Sequence, residues 1–216
     1  MKNWVKIAGI SGIVIIALSV LIGLLGALIG PLYFVSFLIS LLTSAAAVLF
    51  FYGFFVIGKK YKKTLLKVMS IYFMIIVIIG FLAYIPLISY MTGFQSSFSE
   101  MQQMEENLLQ LEEQYGGIEN VPEDVLAQEI GGYLGEILIF LIALYVISVL
   151  LYGIPSILLG VGILKLGKKV KYSKVTGILN IIGGATSVIF VGFIVLGVAS
   201  IFEIVLLFAE SDKFGK

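Results

Sequence analysis

Two polar side chains stand out in the last third of the chain because everything around them is apolar. Glu203 sits inside ASIFEIVLLFAE, residues 199 to 210, and Asn180 inside TGILNIIGGATSVIF, residues 176 to 190. A carboxyl group placed in hydrocarbon is disfavoured in its charged form, so it tends to hold a proton, accept a hydrogen bond, or bind a cation where more oxygens converge. A primary amide can supply that hydrogen bond. If the apolar block folds back near Val191-Gly192, Asn180 lies 11 residues before the turn and Glu203 lies 12 after it. At about 1.5 Å per residue both sit about 16 to 18 Å down their limbs, so an antiparallel hairpin would pair them. Ser200 is a further candidate partner for Glu203, and Lys165 an alternative one. The pair has two readings: an interhelical hydrogen bond that holds the hairpin, or a proton or cation site.

The chain offers little other chemistry. It has no Cys and no His, and all 14 basic residues are Lys. That removes thiol and imidazole catalysis, soft-metal ligation, and arginine clamps for phosphate or nucleic acid. Neither a nucleophile with its base nor a metal-ligand cluster is visible, so no enzymatic activity, cofactor, metal or nucleic-acid partner is expected. The strings GFFVIGKK (53–60) and GILKLGKK (162–169) look like the phosphate-binding GxxxxGK[ST] loop. Lys60 and Lys169 replace its hydroxyl residue, however, and the glycines close an apolar span instead of following a strand, so nucleotide binding is not expected. Glu136, near the start of a span, reads as an interfacial residue.

The elements that would position these residues follow from composition. With 60% hydrophobic and 12% charged residues among 216, and mean hydropathy +1.13, the chain is too apolar to solvate its own surface as a soluble domain. Lys2 and Lys6 precede an apolar stretch of roughly 20 residues or more, longer than the about 7 to 15 of a cleavable signal core, so the first segment reads as a retained span. Spans are expected at about 7–29 and 32–57, turning at Gly30-Pro31, then at 68–91, and at 132–166 with a kink at Pro155. The block 175–209 is long for one span and tight for two; read as a hairpin it gives six spans, and read as one helix it gives five. The expected fold is an all-α, polytopic transmembrane helical bundle. It divides into transmembrane helices 1 to 3 (1–91), an acidic loop (92–131), and transmembrane helices 4 to 6 with a short tail (132–216).

The lysines favour six spans. Two precede the first span, five lie in GKKYKKTLLK (58–67), five in KLGKKVKYSK (165–174), and two in the tail ESDKFGK. With a hairpin at the end, all of them fall on one side, as the positive-inside tendency prefers. The expected location is the cell membrane, multi-pass, with both termini cytoplasmic and 92–131 extracytoplasmic. Lys59, Lys60, Lys62, Lys63, Lys168, Lys169 and Lys171 form a basic cluster expected to face anionic lipid headgroups. Trp4, Tyr61 and Tyr172 would lie near the inner interface, and Tyr33, Tyr84, Tyr90 and Tyr133 near the outer one.

Residues 92 to 131 carry nine acids and no Lys. The spacing of Phe94, Met101, Met104, Leu108, Leu111 and Tyr115 predicts an amphipathic helix ended by Gly116-Gly117, with Asn120 signalling the start of another. No calcium-loop pattern is present. Gly177, Asn180, Gly184 and Ser187 form a small and polar stripe that lets another helix approach, as do Ala199, Ser200 and Glu203; GALIG (26–30) fits the same packing rule. The two GxxxxGKK strings stand 109 residues apart, which points to a parallel repeat of spans two and three by spans four and five.

The stretch SILLGVGILKLGKKVKYSKVTGILNIIGGATSVIFVGFIVLGVASIFEIVLLFAE resembles an uncharacterised archaeal multi-pass membrane family, domain of unknown function 996, in its basic stretch, in TGILNIIGGATSVIFVGF and in its final apolar helix. Residues 45 to 80 resemble that family's N-terminal half. The resemblance implies six helical spans and no known activity. Glu203 falls where that family is expected to carry an apolar or aromatic residue, and the acidic loop departs from it too.

The sequence thus leads to an integral membrane protein with no assignable activity, expected to serve as a non-enzymatic structural or assembly component. It would be a homo-oligomer or bind another membrane protein. The alternative is a small proton- or cation-coupled transporter or channel using Glu203 and Asn180.

Overall fold

The computed structural model describes residues 2–29, 33–189 and 191–215, with side chains described over the same ranges except 2, 25–29, 33, 34, 84–105, 118, 126–130, 132–137, 140 and 215. The described chain is helical: α1 (Lys2–Ile29), α2 (Tyr33–Lys60), α3 (Thr64–Tyr115), α4 (Glu123–Ser148), a π-helical turn (Val149–Gly153), α5 (Ile154–Leu164), α6 (Ser173–Thr186) and α7 (Val191–Ser211). The expected Gly30-Pro31 turn lies outside the described residues, as do the side chains of the outer tyrosines 33, 84, 90 and 133, of the stripe residues Phe94, Met101 and Met104, and of Glu136.

Among the described residues, five helical segments are long and apolar enough to cross a membrane: Asn3–Leu24, Val35–Lys60, Thr64–Ala83, Leu141–Leu164 and Val191–Phe214. The expected hairpin forms, yet the sixth span is corrected. α6 has 14 residues, and with the 3-10 turn Ser187–Ile189 it makes a shorter apolar helix. It is shortened from both ends. Tyr172 turns with a left-handed φ of 67° just before it, and Ser187 Oγ donates to Gly184 O at 2.7 Å where the 3-10 turn begins. By length, the bundle has five spanning helices and one short limb.

The chain separates into two compact units, residues 1–83 with 148–216, and residues 84–147. This division differs from the expected 1–91, 92–131 and 132–216 because no helix breaks at 91. α3 runs unbroken for 52 residues, about 78 Å at 1.5 Å per residue, with only Thr, Gly and Ser as weak breakers around 92–97. The second unit is therefore a helical pair. Its turn ends α3 with Gly116 at φ 70° and Gly117 at φ 143°, and the Gly117 amide donates to Glu112 O at 2.9 Å, the closing bond of a Schellman cap. Asn120 does not cap α4; its amide reaches back to Gly116 O at 3.5 Å, and α4 starts at Glu123.

A π turn is placed just before Pro155. A proline offers no N–H to the carbonyl four residues earlier. That carbonyl, Leu151 O, receives the Tyr72 hydroxyl at 3.3 Å. The core of the first unit gathers Val5 and Ala8 from α1, Phe50, Phe54 and Ile57 from α2, Leu66, Met69 and Phe73 from α3, Leu159 and Ile163 from α5, and Ile204, Leu206 and Leu207 from α7. Outward-facing Ile, Leu and Val on every spanning helix remain exposed, as a surface solvated by lipid tails would be.

The 109-residue offset extends beyond the GKK strings. Phe50, Phe54 and Ile57 are buried, and so are Leu159, Ile163 and Leu166 at the matching positions. α3 resumes at Thr64 and α6 at Ser173, the same offset again. Both turns therefore start the next helix in the same register, although α5 ends at Leu164, five residues before the position that matches the last residue of α2, Lys60.

Candidate functional site

Asn180 and Glu203 meet across the α6–α7 hairpin. Asn180 Nδ2 donates to Glu203 Oε1 at 2.9 Å and also to Thr176 O at 3.1 Å, one turn back on its own helix. The two residues are 3% and 4% exposed. Helical spacing brings them together: Asn180 lies on the buried stripe Thr176, Gly177, Asn180, Gly183, Gly184 of α6, and Glu203 on the buried stripe Ala199, Glu203, Leu206, Leu207, Glu210 of α7.

The small residues of α6 serve a different neighbour from the one the hairpin implies. Gly177 backs onto Gly160 of α5, and Gly184 onto Gly153 of the π turn and Ile157 of α5, where any Cβ would strike backbone. Gly183 faces α7 at Leu196. Asn180 stands between the two contacts, with its Cβ facing Gly160 and its amide facing Glu203. Ser200 is not a partner of Glu203; its hydroxyl donates to Leu196 O in its own helix at 3.0 Å, the usual fate of a serine inside a helix. Lys165, the alternative, is exposed beyond α5.

Two turns further along α7 lies a second carboxylate that sequence reasoning left in a solvated tail. Glu210 is fully buried. Its Oε1 accepts from Lys60 Nζ at 3.2 Å and from the Tyr61 hydroxyl. Its Oε2 lies 3.2 Å from Lys213 Nζ, an ion pair without hydrogen-bond geometry, which leaves that oxygen without a hydrogen-bond partner. Lys60 Nζ also sits 3.6 Å from the centroid of Phe214, a close cation–π contact. Burial, followed by the hydrogen bond to Glu210 and the carboxylate's charge, pushes the Tyr61 hydroxyl up to about 12. Lys213 spans further, donating to Lys169 O at 2.8 Å.

Lys60 faces Glu210 and Phe214, with its side chain 29% exposed. Lys59, Lys62, Lys168, Lys169 and Lys171 are exposed, and Lys63 is half-buried. Tyr61 and Tyr172 pack against the core beside the two turns, and Trp4 packs edge-on against Tyr52 with centroids 5.5 Å apart. Among the described residues no group of His, Cys, Asp and Glu could hold a metal ion.

No family model, curated protein or solved structure matches the chain. The likeness to the archaeal multi-pass family therefore stands on the quoted residues alone.

Proposed function

We propose that this is a non-enzymatic, multi-pass component of the cell membrane, in which the Asn180–Glu203 pair fastens the α6–α7 hairpin and carries no substrate. The observation that carries this reading is that both hydrogens of the Asn180 amide are used within the protein, on Thr176 O and Glu203 Oε1. An interhelical bond of this kind contributes about 0.6 to 1.7 kcal/mol within a membrane. A role in assembly, with a second copy or another membrane protein as partner, fits the absence of a visible catalytic group.

The orientation we propose puts both termini and both GKK turns on the cytoplasmic side and residues 92–131 outside. The contacts of Lys60 with Glu210, and of Lys213 with Lys169 O, support it by bringing the tail to both turns.

The test is a proton-leak assay in sealed vesicles containing the purified protein and a pH-sensitive dye, with Na⁺ and K⁺ gradients as further arms. Wild type and Glu203→Gln are expected to leak no faster than protein-free vesicles, and Glu203→Ala to melt at lower temperature in detergent. A wild-type flux that Glu203→Gln abolishes would overturn the structural reading in favour of a small proton- or cation-coupled transporter or channel built on Glu203 and Asn180.

A further inference from the structure

The two GKK turns lie side by side at one end of the first unit. Leu66, just after the first turn, packs on Gly162 of α5. Leu166 and Val170, flanking the second, are buried in the same core as Ile57 and Leu66. Lys213 ties the second turn to Glu210, and Glu210 holds Lys60 of the first.

This arrangement sorts the lysines into two kinds. Lys60 and Lys213 are engaged by Glu210. Lys59, Lys62, Lys165, Lys168, Lys169, Lys171 and Lys174 are exposed, and among the described residues none of their ammonium groups has an acidic partner. Lys171 rests over its neighbour Tyr172, 4.9 Å from the ring centroid. The acids at this end are Glu210, which is already paired, and exposed Asp212; Lys63 and Lys67 are half-buried. The end is thus strongly positive after the internal pairs are subtracted.

We infer that this end is a docking surface for the anionic headgroups of phospholipids, read by the seven unpaired exposed lysines of the two turns and not by Lys60 or Lys213. Charge complementarity selects the occupant, and position makes it available: the turns directly continue helices long enough to span, so they emerge at headgroup level. Lysine stems lie along apolar surface while the ammonium reaches the phosphate layer. An ammonium is a compact point charge without the planar fork of a guanidinium, so the surface selects net charge and does not distinguish one singly anionic headgroup from another. The inference rests on the membrane-spanning reading, but not on the role given to Glu203.

The experiment is electron spin resonance on the full chain in vesicles, with spin-labelled phosphatidylglycerol, phosphatidylserine and phosphatidylcholine compared for the share held at the protein surface. Phosphatidylglycerol and phosphatidylserine are expected to be enriched alike, about fivefold over phosphatidylcholine, roughly what one well-placed lysine supplies. The enrichment should fade toward unity near 1 M salt, where the screening length falls to about 3 Å. Replacing Lys59, Lys62, Lys168 and Lys171 together by Gln should remove most of it, whereas Lys60→Gln should keep it and lower the melting temperature instead. Equal association of the three lipids at low salt would overturn the proposal, as would enrichment that survives the fourfold replacement. Should that variant not fold, enrichment in wild type that high salt leaves unchanged overturns it equally. Loss of enrichment in Lys60→Gln alone would overturn the sorting. None of these outcomes bears on the leak assay for Glu203.

Discussion

Glu203 and Glu210 occupy the same face of α7, seven residues and so about 10.5 Å apart, and both are buried. Their surroundings differ in kind. Glu203 has one neutral partner, the amide of Asn180. Glu210 has two ammonium groups and a phenol, and a cation–π contact behind one of them. The contrast follows from reach. Lysine can enter a bundle only from its ends, so a carboxylate deep in the helix must be met by a neutral donor on a facing helix, whereas one near the last turn can be met by charge. It also follows that the two acids do different things for the fold: one fixes the register of two neighbouring limbs, and the other ties the end of α7 to segments far away in the chain.

The sharpest way to break the contrast is to truncate each acid. Glu210→Ala is expected to destabilise by about 2 to 3 kcal/mol, since it removes both ion pairs and leaves the Tyr61 hydroxyl unpaired, although Lys60 and Lys213 can partly turn to water. Glu203→Ala should cost about 1 to 2 kcal/mol, one interhelical bond and a small cavity. Melting temperatures of the purified protein in detergent would rank the two, and the reverse order would contradict the account.

Next in size is Gly160→Ala. The added Cβ would sit 2.6 Å from Gly177 O and 2.9 Å from Asn180 Cβ, forcing α6 off α5 and Asn180 off Glu203, at about 1 to 3 kcal/mol. Gly197→Ala, with nothing within 4 Å of its Cβ, should stay within about 0.5 kcal/mol. The Glu210 cluster should survive Gly160→Ala, and an undisturbed absorbance titration of Tyr61 would show it.

Smaller still, the Gln exchanges sharpen the difference between neutral and ionic partners. Glu203→Gln keeps an oxygen for Asn180 and should shift stability by less than about 0.5 kcal/mol, whereas Glu210→Gln loses charge pairing worth about 1 kcal/mol, a modest amount because both lysines are part-exposed. Equal melting temperatures for the two variants would remove the distinction.

The smallest expected effect is a pH dependence. Tyr61 titrates near 12 when folded against an ordinary value of 10. Its contribution is thus complete below pH 10 and is lost as pH rises from 10 to about 12, because the unfolded phenol gives up its proton first. Tyr61→Phe should flatten that decline in melting temperature, and an unchanged slope would exclude Tyr61 as its source.

The sequence carries the Asn180–Glu203 meeting because it depends only on distances counted from one turn, and a shift of a few residues there is harmless: a 3-10 turn at Ser187–Ile189 closes α6 and α7 begins at Val191, and the two side chains face each other. The end of α3 at Gly116-Gly117 was equally legible, since positive φ is written into glycine. Glu210 was not, because Lys60 lies 150 residues away and no periodicity links them. The readable sign was an acid closing an apolar helix with a lysine three residues later and an aromatic after it, Glu210, Lys213 and Phe214. The length of α6 was missed because Tyr172, a residue with no marked taste for left-handed backbone, takes that conformation only in the folded turn.

The hold of Glu210 and Lys213 on the two basic turns also imposes an order of events during synthesis. The ribosome makes the first turn about 150 residues and the second 44 residues before the groups that fasten them. Until α7 has been inserted, both turns stay untied, and a nascent chain halted short of residue 210 exposes the same lysines without their clasp.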